Sequence, residues 1–152
     1  MQETYGFDVA FKLVASFRRL IDELHDDLAT HGFAGTRPIH GFALQAIGPT
    51  GINTSTLAQR LGVTKQAASK TVAALIAHGY ASRSIDPEDA RSQIVRRSER
   101  GERLLHLSAR FFEAKQHQWI QELGRPRYFA LLADLDYLAG NASIGDFPGW
   151  IE

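Results

Sequence analysis

The stretch LGVTKQAASKTVAALIAHGY, residues 61–80, decides the fold of this chain. Gly62 suits a tight reversal between two helices, and Thr64 belongs to the residue types that cap a helix start. The helix after Thr64 has two contrasting faces. An apolar stripe at helical spacing predicts a buried face and consists of Ala68, Val72 and Leu75. The opposite stripe carries short polar or basic side chains and neither Asp nor Glu, which is unusual for a solvated helix surface.

The segments on both sides of this stretch extend the pattern. Before it, TSTLAQRL at residues 54–61 predicts a short helix capped by Thr54 or Ser55. After it, YASRSI and RSQIVRR alternate in polarity around the turn DPEDA, which predicts a two-stranded hairpin over residues 80–97. Two helices joined by a glycine turn and followed by a polar hairpin predict a helix-turn-helix with a wing.

Longer helices are predicted at both ends of the chain. Apolar residues repeat every three or four positions from Phe7 to Leu28, which predicts an amphipathic helix with a seam for a partner helix. A short helix is expected from about Pro38 to Ile47, and Ser98 can cap a long one that the GRP of residues 124–126 interrupts. The predicted fold is mainly α with a small two- to three-stranded β wing.

Composition limits the classes of function. The 152 residues suit a single domain, and the absence of cysteine excludes disulfides and thiolate metal sites. No apolar run is long enough to span a membrane and no secretory signal is visible, so a cytoplasmic location is expected. The net charge is zero, but residues 54–103 hold nine Lys and Arg against five Asp and Glu. The basic excess therefore coincides with the predicted helix-turn-helix.

The carboxylate-free face fits a helix that enters the major groove of DNA. Such a helix presents short hydrogen-bonding side chains to base edges, and negative charge there would repel phosphates. Gln66 can donate to and accept from adenine, and Ala67 can touch a thymine methyl group. Lys65, Ser69 and Lys70 suit phosphates or guanine edges. The alternative is an ordinary surface helix with a solvated polar face.

With these features the sequence resembles the MarR-type winged helix-turn-helix regulators, most specifically over Leu57 to Leu105. The segments LAQRLGV and DPEDARSQIVRRSERG carry the resemblance. It implies that Arg91 at the wing tip enters or flanks the minor groove while Asp89 orients it. Ala90 departs from the pattern, since many members have a second basic residue there. The predicted DNA-binding residues are Thr64, Lys65, Gln66, Ala67, Ser69, Lys70, Asp89 and Arg91.

The resemblance also implies an assembly and a signal. It implies one MarR-like domain over residues 1–152, with the winged helix at about 38–100 and dimerisation helices at about 5–31 and 98–140. A homodimer would place two recognition helices on a pseudo-palindromic operator. Many members release DNA when a small aromatic or anionic compound binds between the dimerisation helices and the winged part. Weak candidates for that ligand site are Arg18, His25, His40 and Trp119.

The predicted function is sequence-specific DNA binding by a dimeric regulator of transcription, most often a repressor in this family. The alternative is a dimeric winged-helix adaptor for proteins that lacks specific DNA binding. An enzyme is not expected, because no Ser-His-Asp motif, phosphate-binding loop or metal triad is present. Neither a cofactor nor a metal is expected, since no two His residues are four apart on a helix. The operator, the effector and the direction of regulation are not legible in the sequence.

Overall fold

The computed structural model describes residues 6–142. The chain divides into two compact units, Met1–Thr36 and Arg37–Glu152. The elements in chain order are α1 (Asp8–Thr30), α2 (Pro38–Ile47), β1 (Ile52–Asn53), α3 (Thr54–Leu61), α4 (Lys65–Ala77), β2 (Ala81–Ile85), β3 (Gln93–Arg97), α5 (Glu99–Leu123) and α6 (Arg125–Ala139). This order confirms the predicted fold class, a mainly helical chain with a winged helix-turn-helix.

The first unit consists of α1 and the turn after it. The predicted apolar seam divides into two parts, since Phe7 and Val14 are exposed whereas Leu24 and Leu28 are buried. Gly32 ends the helix with a positive φ of 87°, and the amide of Phe33 donates to the carbonyl of Leu28 at 3.0 Å. Glycine adopts this left-handed backbone without steric cost, which explains the predicted helix end.

The helix-turn-helix has the predicted turn and one cap that differs from the prediction. The Thr64 hydroxyl accepts from the amide of Ala67 at 3.1 Å, and Gly62 adopts the left-handed conformation between α3 and α4. The prediction that Thr54 or Ser55 caps α3 is wrong. Asn53 is the cap, because its side chain accepts from the amide of Thr56 at 2.8 Å and its own backbone is extended.

The wing is a three-stranded antiparallel sheet in the order β1-β3-β2. β2 and β3 form the predicted hairpin, in which Ala81 lies opposite Arg97 and Ile85 opposite Gln93. β1 is only two residues long and pairs Ile52 with Val95. Because β1 runs directly into α3, this pairing attaches the wing to the helix-turn-helix.

The core of the second unit lies beneath the helix-turn-helix. The buried side chains of α3 are the predicted Leu57, Ala58 and Leu61, and those of α4 are the predicted Ala68, Val72 and Leu75. Tyr80, Val95 and Leu104 bring the start of the wing, the central strand and α5 into the same core. With this stripe of α4 buried, its opposite stripe is held toward solvent.

Arg97 ties the central strand to the end of α2. Its side chain is only 14% exposed, and Nε donates to the carbonyl of Leu44 at 2.7 Å. The other guanidinium nitrogens reach the carbonyl of Gln45 and the carboxylate of Glu102, both at 3.3 Å. The two carbonyls lie in the last turn of α2, where carbonyl groups have no amide donor within the helix itself.

We expect Arg97→Ala to lower the free energy of unfolding by about 2 to 3 kcal/mol, because charge-assisted hydrogen bonds are lost and the buried carbonyl of Leu44 loses its guanidinium donor. Urea unfolding at a fixed protein concentration measures this loss. Arg96→Ala is the matched control, since the Arg96 guanidinium reaches only the exposed hydroxyl of Ser84, and its expected cost is below about 1 kcal/mol. Equal losses in the two variants would contradict the bridging role of Arg97.

Candidate nucleic-acid interface

The exposed side chains in the first two turns of α4 are polar and either uncharged or basic. Lys65, Gln66, Ser69 and Lys70 are all exposed, and Lys65–Ala77 contains no acidic residue. The Thr64 cap fixes the start of this helix, and the exposed residues Lys65 and Gln66 follow directly after it. This geometry is the one expected of a helix whose N-terminal residues meet base edges in a major groove.

A groove of about 640 Å³ separates α4 from the wing and is called here the wing groove. Lys65 and Ser69 line it from α4, and Arg83 and Arg91 line it from the wing. The start of α3 completes it with residues 53–55, and within residues 6–142 no acidic side chain lines it. The wing groove therefore combines three cationic side chains with hydroxyl and amide groups, which suits a phosphate backbone.

A second groove of about 550 Å³ lies on the other flank of α4 and is called here the α2 groove. Gln66 and Lys70 line it from α4, whereas Arg37 and His40 line it from α2 and the residue before it. In the part of the chain that the structure describes, no acidic residue lines this groove either. The polar residues predicted on α4 therefore line two different grooves. Lys65 and Ser69 line the wing groove, whereas Gln66 and Lys70 line the α2 groove.

The wing tip is a compact turn that holds Arg91 at the surface. The Asp89 carboxylate accepts from the backbone amide of Arg91 at 3.0 Å, and the amide of Ser92 donates to the carbonyl of Asp89 at 2.9 Å. Asp86 likewise accepts from the amide of Glu88 at 2.9 Å. Asp89 therefore acts on Arg91 through the main chain, and the Arg91 side chain is exposed.

Several basic residues within residues 54–103 form structural hydrogen bonds to backbone carbonyls. Arg97 bonds to the end of α2, Arg60 donates to the carbonyl of Ala46 at 2.7 Å, and Arg100 donates to the carbonyl of His78 at 3.3 Å. The surface charge near α4 comes from fewer residues than the sequence count suggests. Conversely, Arg37 was not among the predicted DNA-binding residues, since it lies 27 positions before Thr64 and no local pattern connects them.

The weak candidates for a ligand site fall into both units. In the first unit, Arg18 is exposed and pairs with Asp22 at 3.7 Å. Burial lowers the pKa of His25, although the carboxylates of Asp22 and Asp26 act in the opposite direction. In the second unit, Trp119 is half-buried on α5. His40 is 3% exposed, and its Nδ1 accepts from the amide of Arg37 at 3.1 Å.

Two further properties concern residues 6–142 alone. No three His, Cys, Asp or Glu side chains within that range come together in a way that could hold a metal ion. None of the helices described there combines the length and the apolar character that crossing a membrane requires.

Comparisons with known proteins agree with this architecture. Residues 34–92 match the model of the MarR family, and no curated protein matches the sequence. The structure is similar to FabT of Streptococcus pneumoniae in complex with DNA, with a TM-score of 0.74, 18% identity and coverage of 86% of this chain and 92% of FabT. It is also similar to YusO of Bacillus subtilis, with a TM-score of 0.67, 18% identity and coverage of 89% and 94%. For CouR of Rhodococcus jostii bound to p-coumaroyl-CoA the TM-score is 0.62, the identity 18% and the coverage 93% and 99%. At this identity the likeness establishes a shared fold.

Proposed function

We propose that this chain, whose residues 34–92 match the model of the MarR family, is a sequence-specific DNA-binding regulator of transcription of the MarR type. The observation that carries the proposal is the exposed, carboxylate-free face of α4 between two cationic grooves. A duplex presents base edges to the helix and phosphates to its flanks, which is the pattern of partners that this surface requires.

In this proposal some of the predicted DNA-binding residues contact bases and others contact the phosphate backbone. Gln66 reads a base, adenine being the best fit to its amide, and Ala67 contacts a thymine methyl group. Lys65 and Ser69 contact phosphates from the wing groove. Arg91, held by Asp89, lies along the minor groove, where narrow width concentrates negative potential. Lys70 and Thr64 complete the set on the α2 side and at the helix start.

The active species in this proposal is a homodimer. Exposed apolar side chains on α1, on the residue before it and on α6 supply the surface for a partner copy, namely Phe7, Phe11, Val14, Phe129 and Leu132. The two copies of α4 in the dimer then bind a pseudo-palindromic operator. Each chain is one MarR-like domain, and its dimerisation helices lie at about residues 5–31 and 98–140. The protein acts as a repressor in the cytoplasm.

A small aromatic or anionic effector is part of the same proposal. CouR is a relative in fold whose structure holds p-coumaroyl-CoA, which supports a ligand of that class. Arg18, His25, His40 and Trp119 stay the candidate residues for it. Catalysis is not part of the proposed function, because the family is one of transcriptional regulators.

A gel-shift titration on the DNA upstream of the protein's own gene tests the proposal. We expect Gln66→Ala to lose about 5- to 150-fold in preference for the specific site, which corresponds to the roughly 1 to 3 kcal/mol of a bidentate base contact. Arg91→Ala should weaken binding by removing a cation from the minor groove. Neither side chain has a structural role that its removal would disturb, so both variants should remain folded.

Gln116→Ala is the control for loss of an exposed glutamine, because Gln116 lies on α5 outside both grooves. It should bind as the parent protein does. The proposal fails if the parent gives no shift at about 50 mM salt, where electrostatic binding is strong. That result would favour the alternative function, a dimeric adaptor that binds proteins and not specific DNA.

A further inference from the structure

The α2 groove has cations on both of its walls. Arg37 stands on the α2 side and Lys70 on the α4 side, with Gln66 beside Lys70 and an apolar floor that includes Ile39. Arg37 and Lys70 are both exposed. Because none of the described residues that line the groove is acidic, its electrostatic potential favours an anion.

The backbone that carries Arg37 is held firmly. His40 lies within the protein, and its Nδ1 accepts from the Arg37 amide at 3.1 Å. The far end of α2 is fixed as well, since Arg60 and Arg97 donate to its last carbonyls at 2.7 Å. The backbone of Arg37 therefore belongs to an element that is fixed at both ends, and its exposed side chain extends from that backbone into the α2 groove.

The arrangement matches the width of a DNA major groove. A helix with its side chains is about 10 to 12 Å across and the major groove about 12 Å wide. A helix inserted there has one phosphate backbone along each flank. The wing groove and the α2 groove lie on opposite flanks of α4, so a duplex bound in this way would have one backbone beside each groove.

We propose that the α2 groove binds a phosphate of the second DNA strand through Arg37 and Lys70. This inference rests on the proposed function and adds Arg37 to the DNA-binding residues. The contact is independent of sequence, because phosphate is the same at every step of the duplex. It therefore contributes affinity for any duplex and no preference among sequences.

The test measures binding of the full chain to two labelled duplexes between about 50 and 200 mM salt. One duplex is the region upstream of the protein's own gene, and the other is a mixed-sequence duplex of similar length. The variants are Arg37→Ala, Arg37→Lys and the control Arg110→Ala, which removes one exposed cation from α5 outside both grooves. Thermal melts verify that all three variants are folded.

We expect Arg37→Ala to weaken binding to both duplexes by the same factor. The slope of log affinity against log salt should fall in magnitude by about 0.9 per bound protomer. The ratio of the parent affinity to the Arg37→Ala affinity should therefore become about 3.5-fold smaller between the lowest and the highest salt concentration. Arg37→Lys should keep the parent slope, because lysine retains the charge. Arg110→Ala should keep both the slope and the affinity.

Three results would overturn the inference. If Arg37→Ala behaves as Arg110→Ala does while the parent binds, the α2 groove holds no phosphate and the proposed function still stands. If Arg37→Ala weakens binding to only one duplex, Arg37 reads sequence instead of anchoring the backbone. If the parent binds neither duplex at about 50 mM salt, the proposed function and this inference both fail.

Discussion

Replacing Ser69 by glutamate should lower the affinity for DNA at least about 100-fold, or about 2.7 kcal/mol. Ser69 is exposed and lines the wing groove beside Lys65. A carboxylate there would face phosphates in a confined space, and like charges brought together at an interface cost several kcal/mol. It would also pair with Lys65 four residues earlier and neutralise a phosphate contact. Fluorescence anisotropy on the duplex upstream of the gene measures the loss.

Ser69→Gln is the matched control, since glutamine has nearly the size of glutamate and no charge. It should cost less than about 10-fold, and both variants should unfold at the parent temperature because position 69 is solvent-exposed and both residues favour helices. Equal losses for Ser69→Glu and Ser69→Gln would show that size and not charge matters. In that case the absence of carboxylates from α4 would have no electrostatic meaning.

The parts of the fold that follow from local chemistry could be predicted from the sequence. Thr64 and Ser98 are cap residues that accept from amides three positions ahead, at 3.1 Å in both cases. Such contacts depend only on neighbouring residues, and a cap type before an apolar repeat therefore indicates them. The buried stripe of α4 follows in the same way from a period of 3.6 residues.

The cap of α3 was mispredicted because the strand before it is very short. β1 has two residues, Ile52 and Asn53, and two residues cannot display the alternation by which strands are recognised. Without that strand, Thr54 and Ser55 were the nearest cap types to the helical pattern. The pairing of Ile52 with Val95 draws Asn53 into the extended conformation that a cap needs.

Contacts between distant residues explain what else the sequence could not reveal. Arg97 reaches the carbonyl of Leu44 across 53 positions, so a count of charges cannot separate it from a DNA contact. Arg37 and Lys70 line the same groove although 33 positions separate them in the chain. The neutral net charge is compatible with DNA binding because the cations near α4 are grouped by folding.

Replacing Gly101 by alanine should lower the free energy of unfolding by at least about 3 kcal/mol. Gly101 is buried in the first turn of α5. A methyl group there would overlap the backbone carbonyl of Tyr80 and press on Leu44 at 3.3 Å. Since Tyr80 begins the wing and its carbonyl accepts from the amide of Ser98 at 3.0 Å, the overlap can be relieved only by moving α5 away from the helix-turn-helix. A chain of this size should then melt roughly 6 to 12 °C lower.

Gly41→Ala separates this steric effect from the intrinsic effect of alanine in a helix. Gly41 also lies within a helix and has no positive φ, but no atom lies within 4 Å of the position that a Cβ would occupy. Alanine there should raise stability by about 0.5 to 1 kcal/mol through helix propensity alone. Both variants are compared by thermal melting at one protein concentration, because dimerisation couples stability to concentration. Melting of Gly101→Ala at the parent temperature would mean that α5 does not approach Tyr80 as closely as the structure shows, and the attachment of the wing to α5 would have to be redrawn.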